Sequence, residues 1–123
     1  MIPKVISIGG QDVREVKIGG TEQLAFIGGP CAIESRQHAG EMAERIGEIC
    51  ERLDIPWIYK SCYDKDCRSA LTSFHGVGVE AGLEILADIR RAYKIPVVSD
   101  FSMAEWAEPT GKVVDLIQIP AYL

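Results

Sequence analysis

The sequence predicts an α/β fold built on a parallel sheet and preceded by a β-hairpin. Three observations predict it. Short continuous apolar runs alternate with longer amphipathic stretches, the runs are buried in character rather than alternating, and the polar loops follow the C-terminal ends of the runs. With 123 residues, 47% apolar and 25% charged, the chain suffices for one modest core.

The first twenty residues alternate apolar and polar around "GGQD", which predicts two short strands in a hairpin over 1–20. "LAFIGG" (24–29) reads as a buried strand. Met42, Ala43, Ile46, Ile49, Cys50 and Leu53 recur near every 3.6 residues and place an amphipathic helix over 36–53, with Ser35 as N-cap. "IPWIYK" (55–60) is a second buried strand, followed by a polar stretch over 61–78. Leu83, Leu86, Ile89 and Tyr93 mark the next helix, and "IPVVSD" (95–100) the third strand. "SMAE" (102–105) has the form of a capping box and predicts a short helix. "VVDLIQIP" (113–120) is the fourth strand. No linker interrupts 24–123, so the chain reads as a single, partial domain.

A doubly wound sheet and a (β/α) barrel both fit this order, and in both the loops after the strands form the functional face. Four parallel strands leave two open edges, so the chain is expected to be half of a larger barrel or to need a second copy.

Composition narrows the function. A net charge of −5 disfavours a nucleic-acid partner, although a basic pocket for a small anion remains compatible with it. No run is long enough to span a membrane, and "MIPKVISIGG" lacks the apolar core of a signal peptide, so a cytoplasmic location without membrane association is expected. The four cysteines, at 31, 50, 62 and 67, have no CxxC spacing and are expected to be reduced. Cys50 falls on the apolar helix face and reads as core. His38 reads as an exposed helix residue.

The segment "YKSCYDKDCRSALTSFHGVG" (59–78) carries the most chemistry. Lys60, Lys65 and Arg68, with Ser61 and Ser69 beside them, suit a doubly anionic ligand such as a phosphate monoester. A solvated basic loop balanced by Asp64 and Asp66 is the plainer alternative. Cys31, Cys62 and Cys67 with His75 offer a weaker zinc arrangement. Asp100 closes the third strand, either orienting a ligand or capping a turn. Gly76 and Gly78 serve backbone geometry.

The motifs "GGPCAIES", "YKSCYDKDCRSALTSFHGVGVEAGLEIL", "PVVSDF" and "VVDLIQIPAYL" resemble, in order, the N-terminal half of the 3-deoxy-D-manno-octulosonate 8-phosphate synthases. The related 3-deoxy-D-arabino-heptulosonate 7-phosphate synthases carry K-P-R-T-S and G-A-R where this chain has "KSCYDKDCRS" and "PAYL". The resemblance implies the first half of a (β/α)₈ TIM barrel that condenses phosphoenolpyruvate with D-arabinose 5-phosphate, a step of lipopolysaccharide sugar synthesis. It implies that Lys60 and Lys65 contact the reacting substrates, with Ser61 beside them. Arg68 and Ser69 would hold the sugar phosphate, in part across subunits of a homo-oligomer that is a tetramer in the family. Gln118 would line the barrel mouth. Family members with cysteine at the position of Cys31 bind a divalent metal, which makes Cys31 a ligand for zinc or iron(II). The sequence departs from the pattern at Cys67, where the family has asparagine, and at His75, where it has arginine. Ser102 replaces a histidine. The remaining metal ligands in the family lie in its C-terminal half, so the isolated chain is expected to be inactive.

Overall fold

The computed structural model describes residues 3–65 and 72–120. Strands β1 (Ile6–Gly9) and β2 (Glu15–Ile18) form an antiparallel hairpin in which Ile8 faces Val16. The turn passes through positive φ at Gly9, Gly10 and Asp12, two of them glycines that accept it without a Cβ clash.

Four strands follow in one parallel sheet, ordered as in the chain: β3 (Phe26–Gly28), β4 (Trp57–Lys60), β5 (Val97–Asp100) and β6 (Leu116–Gln118). Helix α1 (Arg36–Arg52) connects β3 to β4, and α2 (Val79–Tyr93) connects β4 to β5. Ser35 caps α1 as the sequence predicts, its Oγ accepting from the His38 amide at 3.1 Å. Gly78 precedes α2 at φ +87.

The chain alternates faces along each strand. Trp57, Tyr59 and Val97 enter the main core with Ala39, Ala43 and Cys50 of α1 and Leu83, Leu86 and Ile89 of α2. Ile58 and Val98 point to the other face and form a second cluster with Ile8 and Val16 of the hairpin, flanked by Leu116. The hairpin therefore lies under the N-terminal end of the sheet. Its seat is reinforced by Arg14 N–H donating to the Lys94 carbonyl at 2.9 Å and by the Arg90 guanidinium donating to the Gln11 carbonyl at 2.8 Å.

Three expectations need correction. The outer strands are not buried: Phe26 is 45% and Ile27 41% exposed on β3, and Ile117 of β6 is also exposed. Both lie at edges and have a neighbour on one side only. Ser102 is not the N-cap of the next helical segment. Met103 precedes a 3₁₀ turn (Ala104–Trp106) that runs into α3 (Ala107–Gly111), and it makes no side-chain cap bond. His38 is half-buried, and its Nδ1 finds no partner among the described residues.

Candidate active site at the C-terminal end of the sheet

The alternation that sends Ile58 and Val98 to the hairpin sends Lys60, Asp100 and Gln118 to the same face, further along the strands. Lys60 pairs in register with Val98, and Asp100 with Gln118. One face thus passes from apolar to polar toward the strands' C-terminal ends. Lys60 is half-buried and Gln118 exposed.

The "GGPC" turn is bound tightly along β4 and the residues that follow it. Trp57 Nε1 donates to the Gly28 carbonyl at 3.1 Å, Ser61 Oγ to the Pro30 carbonyl at 2.7 Å, and the Cys62 amide to the Cys31 carbonyl at 3.3 Å. A Cβ at Gly29 would overlap the Lys60 carbonyl oxygen, so only glycine permits this approach. Pairing also slips here. Gly28 faces Tyr59, whereas Ala32 faces Cys62, so four residues advance on one strand against three on the other. Such an extra residue re-aims the side chains beside it, as in a β-bulge. Cys31 lies in the slipped segment and is exposed.

Ser61 is buried, and its hydroxyl is engaged with Pro30. It stands beside Lys60 as a brace of the turn. Lys65 is half-buried at the loop's start, its amide donating to the His75 carbonyl at 2.6 Å. Arg68, Ser69 and Cys67 lie outside the described residues.

Cys62 is buried, its thiol donating to the Asp64 carbonyl at 3.0 Å. Burial, with the Asp100 carboxylate nearby, pushes the thiol up to about 12. In this fold the thiol is engaged with the Asp64 carbonyl. Among the described residues, no three His, Cys, Asp or Glu side chains converge on a common point. The described residues therefore do not complete a metal site around Cys31.

Asp100 is the residue whose importance the sequence left open. It is 8% exposed, and its Oδ1 finds no hydrogen-bond partner among the described residues. A buried acceptor without a donor is costly, of the order of 1–3 kcal/mol, and such groups concentrate at functional sites. Its position after an apolar "PVVS" run is the only sequence signal, and that signal does not separate a ligand-facing carboxylate from a turn cap.

A lysine, a carboxylate and an amide on one face, beside a glycine-tight turn, can bind an anionic substrate and orient a proton-bearing group next to it. Several known proteins similar to this chain are named for such a substrate, a phosphooctonate. Relatives named 2-dehydro-3-deoxyphosphooctonate aldolase include those of Koribacter versatilis (strain Ellin345), 46% identical over 111 residues, and Geotalea uraniireducens (strain Rf4), 43% identical over 120. That of Rickettsia bellii (strain OSU 85-389) is 40% identical over 111 residues. These alignments cover 90%, 98% and 90% of this chain but only 40%, 42% and 40% of the relatives. The chain thus spans about two fifths of the length of the curated relatives it matches. The model of the DAHP synthetase I family matches residues 5–123, from the hairpin through β6, and with it the chain belongs to that family.

Proposed function

We propose that the complete protein carrying this chain condenses phosphoenolpyruvate with D-arabinose 5-phosphate, giving 3-deoxy-D-manno-octulosonate 8-phosphate and inorganic phosphate. The carrying observation is the identity of 40–46% to proteins named for that octonate phosphate, which spans the strand ends bearing Lys60, Asp100 and Gln118. In this reading the four-stranded sheet is the first half of a (β/α)₈ barrel, and the open edges of β3 and β6 are continued by the rest of the protein. The protein acts in the cytoplasm as a homo-oligomer, in lipopolysaccharide sugar synthesis.

The reaction joins the enol carbon C3 of phosphoenolpyruvate to the aldehyde carbon. Water adds at C2, the C2–O bond to phosphate breaks, and the aldehyde oxygen takes up a proton. Two anions must approach each other, so fixed positive charge is the first requirement. Lys60 and Lys65 supply it at the end of β4, and Arg68 with Ser69 hold the sugar phosphate. Ser61 keeps the "GGPC" turn against Lys60 through Pro30. Gln118 lines the mouth, and Asp100 Oδ1, without a partner among the described residues, is available to accept from a substrate hydroxyl or a water. Cys31 is the exposed thiol that this turn offers to a divalent metal, zinc or iron(II), whose other ligands would come from outside the described residues.

The test is phosphate release by the complete protein from phosphoenolpyruvate with a panel of aldose phosphates. Release with arabinose 5-phosphate, reduced by about a hundredfold or more in Lys60→Ala, is the expected result. Preference for another aldose phosphate would move the protein to a sister activity, and no release with any would refute the reading.

A further inference from the structure

We infer that Tyr63 is a positioning residue for Lys65, pinned through its hydroxyl to Thr110 of α3. Tyr63 is fully buried, and its hydroxyl lies 2.7 Å from Thr110 Oγ1, which is equally buried. The ring meets Trp106 edge-on at 6.1 Å between centroids. The backbone around it is crowded to a degree only glycine allows: a Cβ at Gly82 would overlap Tyr63 Cβ, and one at Gly76 its carbonyl oxygen. That carbonyl accepts from the Gly78 amide at 2.9 Å, and two residues on the Lys65 amide donates to His75. The two ends of the loop between β4 and α2 are thus clamped together directly behind Lys65, and the clamp is fastened to the next βα unit through Tyr63 and Thr110.

The chemistry of the fastening argues for direction rather than stability. A phenylalanine and a valine would fill the same space, and exchanging both partners of a buried hydrogen bond for apolar groups is close to neutral. A hydrogen bond fixes where the Tyr63 backbone sits along α3, which apolar contact does less sharply. A lysine on a flexible stem gains from such anchoring, since every degree of freedom removed beforehand need not be lost on binding. The inference rests on the proposed function for the use made of Lys65, not for the clamp itself.

The test separates positioning from stability with Tyr63→Phe, Thr110→Val, the double variant and Thr110→Ser, all in the complete protein. Each single removal leaves a buried hydroxyl unpaired and lowers Tm. The double variant is expected to recover Tm to within about 2 °C of wild type. Its KM for the phosphorylated substrates is expected to stay about tenfold raised with kcat little changed. Amide hydrogen exchange at Lys65 and Gly78 is expected to be faster by about the same factor, with α1 unaffected. Thr110→Ser, which keeps the hydroxyl, is expected to behave as wild type. A double variant whose KM and Lys65 exchange return to wild type along with Tm would overturn the inference. So would exchange that rises uniformly over the chain. If wild-type protein releases no phosphate with any aldose phosphate, the proposed function fails and the catalytic role of the clamp with it. An active wild type with unmoved KM in the double variant refutes the positioning role alone.

Discussion

One face of one sheet carries two unlike ends. At the N-terminal end Ile58, Val98 and Leu116 meet Ile8 and Val16 of the hairpin in an apolar seal. Two residues further along the same strands, about 7 Å away, the face presents Lys60, Asp100 and Gln118. Between them Tyr59 and Ser99 are fully buried, Tyr59 in the helix side of the core. The pleat therefore holds the polar end in place without asking it to contribute packing. Stability is concentrated where the hairpin sits and chemistry where the loops begin, a division expected of parallel α/β folds.

Substitutions at the two ends should respond unequally. Ile58→Ala opens a cavity under the hairpin and is expected to cost about 3 kcal/mol in urea denaturation. A cost below about 1 kcal/mol would show that the hairpin collapses into the gap instead. Asp115→Ala comes next. Its carboxylate receives the Arg90 guanidinium through Nε and Nη2 and the Val97 amide at 3.0 Å. Arg90 also holds Gln11 of the hairpin turn. Arg90 is partly exposed, which screens the pair, so about 2 kcal/mol is expected.

The polar end should behave in the opposite sense. Asp100→Asn removes a buried charge whose Oδ1 is unpartnered among the described residues, and stability is expected to stay level or rise by up to about 1 kcal/mol. Activity should fall in the same variant. A marked loss of stability would mean that Asp100 is a structural residue after all.

The last effect, confined to alkaline solution, is a pH dependence. Cys62 is pushed from 9.0 up to about 12 by burial and by Asp100. The folded state holds this proton more tightly than the unfolded chain. The stabilisation is complete below pH 9 and is lost as pH rises toward 12. Tyr59 is raised by burial in the same direction, so the comparison is with Cys62→Ala, whose stability should decline less steeply over that window. Equal slopes would remove Cys62 from the account.

Much of this division is legible in the residues. "IPWIYK" and "IPVVSD" announce central strands because both faces are apolar until the last residues, and Lys60 and Asp100 stand out where the run ends. The exposure of β3 is not legible, because an apolar run carries no mark of whether a neighbour lies on one side or two. Ser102 misled for a related reason: S-x-x-E is local, whereas the start of the 3₁₀ turn at Ala104 is set by how the chain leaves β5. The slip in pairing at Gly29–Cys31 and the bond from Ser61 to Pro30 join segments about thirty residues apart, which no local pattern encodes. Nor does the pairing of Tyr63 with Thr110 across α2.

The hairpin's place has a consequence for the order of assembly. Its strands are synthesised first, yet the surface they cover is made of Ile58, Val98 and Leu116, which leave the ribosome later. Two strands alone are marginal in water, so Ile8 and Val16 must wait, exposed, until β6 has emerged. Contacts spanning this much of the chain are slow to close. The seal under the sheet should therefore be among the last parts of this segment to form, and the interval before it closes is when the nascent protein is most exposed to aggregation.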